Sequence, residues 1–174
     1  MKKILGKMVA AIVVVLLIVI FTCCSRPYTA EHATTGETVR DGRFIAYDNG
    51  TVLDTKTNLM WAAKDNGSDI NWQDAKFYCE NYHGGGYKDW RMPTLDELEG
   101  LYDASKSHPA SCYGRNSIHV ATELIDITCF CPWASETSET TGEVDFFDFG
   151  PGIRSGFASQ WTRFSRVLPV RSGK

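Results

Sequence analysis

The chain has 174 residues, 43% of them hydrophobic and 22% charged, which is enough for one domain with a real core but not for two. The charges before residue 25 are Lys2, Lys3 and Lys7; without them 15 basic residues face 21 acidic ones, a net charge of −6. That balance argues against nucleic acid or another polyanion as the partner.

From Met8 to Phe21 there is no charged or strongly polar residue. Residues 1–24 therefore read as an export signal or as an uncleaved anchor. Cys23 and Cys24 close this run where a lipoprotein signal carries its acylated cysteine, although Ile20-Phe21-Thr22 fits such a signal only loosely. Lipidation, cleavage and an uncleaved anchor all stay open. Each places the protein in a bacterial cell envelope, membrane-anchored, periplasmic or secreted. Residues 25–42, rich in Thr, Glu, Gly and Ala, show no apolar period and are expected to be a flexible tether. Residues 43–174 then form the domain.

The domain opens with an expected meander of strands at Arg43–Tyr47, Thr51–Asp54 and Leu59–Ala62, separated by Asp48-Asn49-Gly50 and Thr55–Asn58. Asn71 or Asp69 can cap a helix starting near Trp72, with Trp72, Ala75, Cys79 and Tyr82 at three- and four-residue steps; Gly84-Gly85-Gly86 stops it. Thr94 followed by Glu97 is a capping box for a second helix, whose apolar face is Leu95, Leu98, Leu101 and Tyr102. Ser105 to Pro132 loses periodicity and reads as a long loop or a set of short pieces. Strands return at Trp133–Thr137, Glu143–Phe149 and Arg166–Arg171. The pattern is that of an α+β domain.

Cys79, Cys112, Cys129 and Cys131 are an even set, and an oxidising compartment predicts two disulfides. Cys129 and Cys131 are too close to favour a mutual bridge, so each is expected to reach Cys79 or Cys112. No metal site is expected, because Cys129-x-Cys131 with scattered His83, His108 and His119 lacks the spacing of a zinc site. Asp145 and Asp148 are a weaker candidate for calcium. No other cofactor is implied.

The domain resembles the Lcl C-terminal domain family, named after a collagen-like bacterial adhesin. The likeness runs through Asp48-Asn49-Gly50-Thr51-Val52, Thr57-Asn58-Leu59-Met60-Trp61, Trp72-x-Asp74-Ala75, Trp133-Ala134-Ser135 and Val170-Arg171. Its most specific block is Asp89-Trp90-Arg91-Met92-Pro93-Thr94 with Glu97-Leu98. The resemblance implies a C-type-lectin-like or formylglycine-generating-enzyme-like fold, two helices on small antiparallel sheets with long loops. It also implies an adhesin-like role. The Cys112 to Cys131 region departs from the family's usual pattern, so loop properties are not carried over.

The motif residues Trp61, Trp72, Asp74, Asp89, Trp90, Arg91, Pro93, Thr94, Glu97, Trp133 and Arg171 read first as architecture. Large rings build cores, and a guanidinium can tie a carboxylate, backbone carbonyls and an aromatic face together. Arg91 with Asp89 and Glu97 is thus expected to brace helices against sheet. Ligand contacts are expected instead on less patterned ground, at Trp161 and Arg163 and at His108, Tyr113 and His119 of the long loop. No nucleophile, base and oxyanion donor fall into a catalytic pattern. The functional expectation is a monomeric module that binds glycan or envelope protein. The alternatives are a structural subunit of an envelope assembly and an envelope enzyme with an unrecognised carboxylate or histidine.

Overall fold

The computed structural model describes residues 36–112, 117–138 and 141–173. The export or anchor segment, Cys23, Cys24 and Tyr113 lie outside the described residues. Among the described residues no helix is long and apolar enough to cross a membrane.

Eleven strands and two helices are described. Five strands, β1 (Glu37–Asp41), β2 (Phe44–Tyr47), β3 (Thr51–Asp54), β4 (Leu59–Ala62) and β11 (Val170–Ser172), make an antiparallel sheet in the order β1-β2-β3-β4-β11. Four more make a second sheet, β10-β7-β8-β9, from β7 (Cys131–Thr137), β8 (Glu143–Asp148), β9 (Ile153–Ala158) and β10 (Ser165–Arg166). The short pair β5 (His108–Pro109) and β6 (Ser117–Ile118) lies within the long connection. The α+β reading therefore stands.

The meander follows its turn residues: Gly50 and Asn58 both take positive φ between the strands, as those turns require. Helix α1 (Trp72–Glu80) starts at Asn71, whose side chain accepts a hydrogen bond from the Asp74 amide at 2.9 Å, and it buries Ala75 and Cys79. Helix α2 (Leu95–Glu99) carries the complete capping box of Thr94 and Glu97 and buries Leu98. Between them Gly84–Gly86 form a single 3-10 turn. Gly85 has φ +65°, and a Cβ there would lie 2.6 Å from the Thr51 methyl, so the turn packs on the sheet only because no side chain intervenes.

Trp61, Trp90 and Trp133 are buried in one core with Phe146, Phe147, Phe149, Leu98 and Leu168. Three indoles, those of Trp133, Trp72 and Trp90, are also polar anchors: Trp133 donates to the Ile70 carbonyl at 2.8 Å, Trp72 to Ala134 at 2.8 Å and Trp90 to Gly84 at 3.1 Å. Each bond joins elements far apart in the chain or closes the glycine turn, which adds direction to burial.

Several expectations are corrected. Residues 37–41 of the supposed tether are a strand paired along β2, reached by a turn through Gly42 at φ +56°. As a nearly fully exposed edge strand it has no apolar alternation to betray it. One disulfide forms, Cys112–Cys129, while Cys79 and Cys131 are buried outside any disulfide. Cys79 sits on the core face of α1, where burial pushes its thiol well above the usual range. The expected strand 166–171 is two short strands, one in each sheet, and residues 153–158 form a strand where none was read.

Candidate functional site

The segment from Asp89 to Thr94 is held from both ends of its neighbourhood. Arg91 and Val170 exchange backbone hydrogen bonds at 2.9 and 3.0 Å, so the segment extends the five-stranded sheet beyond β11. Ser135 of β7 donates its amide to the Pro93 carbonyl at 2.8 Å. The Leu95 amide at the start of α2 donates to the Glu136 carboxylate at 2.9 Å. The motif is thereby a junction between both sheets and α2.

Two guanidinium forks lie at this junction. Arg171 is buried, grips Asp89 through Nε at 2.7 Å and Nη2 at 3.0 Å, and lies 3.9 Å from the centre of the Tyr87 ring. Arg91 grips Glu97 through Nη1 at 2.7 Å and Nη2 at 2.6 Å, and donates from Nη1 to the Met92 carbonyl at 3.2 Å. Glu97 accepts the Thr94 amide at 2.9 Å as well. The expected brace is therefore two braces, with Asp89 paired to Arg171 instead of Arg91.

Electrostatics follow this geometry. Burial pushes the Glu97 carboxyl up, but hydrogen bonds from Arg91 and Thr94 and the charge of Arg91 outweigh it and hold the group below its ordinary value. The Glu97 hydrogen bond in turn raises Arg91 further above its already high value. Hydrogen bonding from Arg171 holds Asp89 low.

Beside the Arg91 fork is a cavity of about 310 Å³ lined by Trp72, Lys76, Glu80, Arg91, Met92, Thr94 and Ser135. Lys76 and Glu80 are one helical turn apart on α1 and follow Trp72 at the same spacing, so one helix face supplies ring, cation and carboxylate. The Lys76 ammonium lies 5.7 Å from the centre of a Trp72 ring. Met92 and Trp72 give the groove apolar walls, and the other lining side chains give it donors and acceptors. Trp72, Arg91 and Thr94 are motif residues read from the sequence as architecture; their i, i+4, i+8 companions Lys76 and Glu80 are the part that sequence reasoning missed.

The residues expected to contact ligand are not gathered in this groove. Trp161 is exposed between β9 and β10, stacked on Phe157 at 4.9 Å, with its indole N–H given to the Arg163 carbonyl at 2.8 Å. Phe157 stacks in turn on Phe146, and Phe146 meets Trp133 edge-on, so a ladder of rings runs from surface to core. The Arg163 guanidinium lies over Phe164. His108 Nε2 bonds the Val120 carbonyl at 2.8 Å and His119 Nδ1 the Lys106 carbonyl at 2.5 Å. Both imidazoles thus pin the irregular connection to itself, a structural use that loop position alone did not reveal.

The same connection is tied to the core by a buried polar network. Asp65 accepts the Thr128 amide at 2.7 Å, the Thr128 hydroxyl and the Gly67 amide, while Arg166 reaches Thr128 at 3.0 Å and pairs with Asp69. Burial raises the Asp65 carboxyl against the opposing pull of these donors. Asp145 and Asp148 stand three apart on unbroken β8, so their side chains leave opposite faces of the strand and do not converge on one cation. Among the described residues no three His, Cys, Asp or Glu side chains are grouped to hold a metal ion.

Comparison with curated proteins gives no match. The family model of the Lcl C-terminal domain matches residues 50–171, from the turn before β3 through Arg171 in β11. The matched span takes in both forks and every residue of the groove, and it covers well over half of the 174 residues: the chain belongs to the Lcl C-terminal domain family.

Proposed function

We propose that the chain is a cell-envelope recognition module that holds its ligand in the groove between α1 and the Arg91–Thr94 segment. The observation that carries this reading is the convergence of Trp72, Lys76, Glu80, Arg91, Thr94 and Ser135 on one cavity with apolar walls, the composition expected of a ligand site. The basic, apolar N-terminus supports a place in the envelope, as secreted protein or held there by anchor or lipid. Adhesion to glycan or protein fits that location, and the C-type-lectin-like topology belongs to the same proposal.

Recognition is favoured over catalysis by the state of the groove's charges. Arg91, clamped by Glu97 in a two-bond fork, is a fixed binding charge rather than a group that gives up a proton. A panel of glycans and envelope proteins presented to the full chain in mild detergent tests the reading. Binding that is lost on Ser135→Tyr, a ring set at the exposed rim of the groove, with an unchanged melting temperature supports it. Binding unaffected by that change, or turnover of a bound compound, overturns it.

A further inference from the structure

We infer that the groove takes a singly charged, carboxylated sugar, with the sugar carboxylate on Arg91 and Lys76; the inference rests on the groove reading above. A guanidinium has five N–H donors. Arg91 uses three of them, Nη1 toward Met92 O and Glu97 Oε2 and Nη2 toward Glu97 Oε1. The remaining two, Nε–H and the outer Nη2–H, form the adjacent edge of the same planar fork and meet no partner among the described residues. Such an edge matches a second carboxylate with two parallel bonds. The side chain is 47% exposed, and Arg91 lines the groove, so a ligand can reach it.

Lys76 adds a second donor group. Its ammonium lies over Trp72 and forms no ion pair among the described residues. The charge balance then selects the ligand. Lys76 and Arg91 are offset by Glu80 in the groove and by Glu97 behind the fork. The open fork edge and one ammonium give donors for one carboxylate, whereas each further anion of a densely sulfated chain would meet Glu80, Glu97 and an acidic domain with no donor left to pair it.

The rest of the rim suits hydroxyls. Thr94 Oγ1 already accepts the Glu97 amide at 3.2 Å, leaving its own proton to donate. Ser135 Oγ donates to Glu136 at 3.3 Å, leaving lone pairs to accept. Glu80 forms no hydrogen bond among the described residues and can accept from neighbouring sugar hydroxyls. Trp72, partly exposed at the groove, offers an apolar surface to the C–H side of a ring. A peptide C-terminus would satisfy the same fork edge and is the competitor against which the sugar is measured.

Calorimetric titration of the full chain with a short neutral oligosaccharide ending in a single galacturonate, its carboxyl-reduced neutral form and a free-ended peptide tests the inference. The acidic oligosaccharide is expected to bind at least about tenfold more tightly than the reduced one. Lys76→Ala is expected to weaken it about fivefold with an unchanged melting temperature, because Lys76 holds no ion pair in the fold. Arg91→Lys keeps the charge but removes the fork and is expected to cost about tenfold. Equal binding of the reduced sugar, or stronger binding of the peptide, overturns the carboxylated-sugar inference and leaves the groove reading intact. Loss of binding on Trp161→Ala with no effect of Lys76→Ala overturns both, as does failure of all three ligands alongside a glycan or protein hit that Ser135→Tyr leaves unaffected.

Discussion

Asp89 and Arg91 stand two residues apart, and each closes a fork with an opposite charge, yet the regions on which they close differ. Toward β11 the cation, Arg171, is the buried partner, its side chain only 7% exposed and its plane over Tyr87, while Asp89 reaches water. Toward α2 the carboxylate is the more buried partner and the cation stays half in solvent, 47% exposed for Arg91 against 17% for Glu97. A buried guanidinium whose fork, ring contact and stem are all engaged is spent on holding the sheet edge. An exposed one with an open edge keeps donors for something outside the fold. The same residue pairing is architecture in one region and a presentation device in the other.

The largest expected effect that separates the two regions is at Arg171. Replacement by Ala removes a buried stem, the contact with Tyr87 and the clamp on Asp89, and is expected to cost about 2–4 kcal/mol in chemical unfolding. Arg91→Ala should cost about 1 kcal/mol, because a half-exposed partner is lost and Glu97 keeps the Thr94 amide. Equal losses at the two positions would erase the distinction between the two regions.

The pH dependence is a subtler separator. Asp89 and Glu97 both have folded-state values below their ordinary ones, so their contribution is fully present above the ordinary carboxylate range and is lost as pH falls through the depressed values, below about 4. Asp65 is raised, so its contribution has the opposite sign and weakens as pH climbs above about 4. Glu97→Gln is expected to flatten the acid limb of a melting-temperature profile, and Asp65→Asn the opposing slope. Smallest of all is Lys76→Ala, expected to change unfolding free energy by less than about 0.5 kcal/mol, since only binding should register its loss.

Local chemistry made half of this legible. Asn71 and the Thr94–Glu97 pair announce their helices within three residues, and the Gly50 and Asn58 turns announce the meander. The Arg171–Asp89 fork spans 82 residues of chain, so no spacing rule reaches it. β1 and β9 are edge strands with mostly exposed side chains, and without a buried face the period-two signal is absent. An even cysteine count suggested two bridges, but counting cannot show that Cys79 faces the core of α1. The groove was half-read: its motif residues were named for their packing, and the helix face that completes it needed only the step of four from Trp72 to Lys76 and Glu80. Trp161 drew attention because its surroundings lack pattern, yet its stacking on Phe157 and Phe146 gives it a structural role as well.

The most direct test of the central claim is to map a bound ligand by amide and indole chemical shifts on the full chain, titrated with the tightest binder from a glycan and envelope-protein panel. The Trp72 indole, Lys76, Met92 and Ser135 are expected to move together and saturate with one constant. Shifts confined to Trp161, Arg163, His108 and His119, with the groove silent, would contradict the central claim and return the function to the long loops.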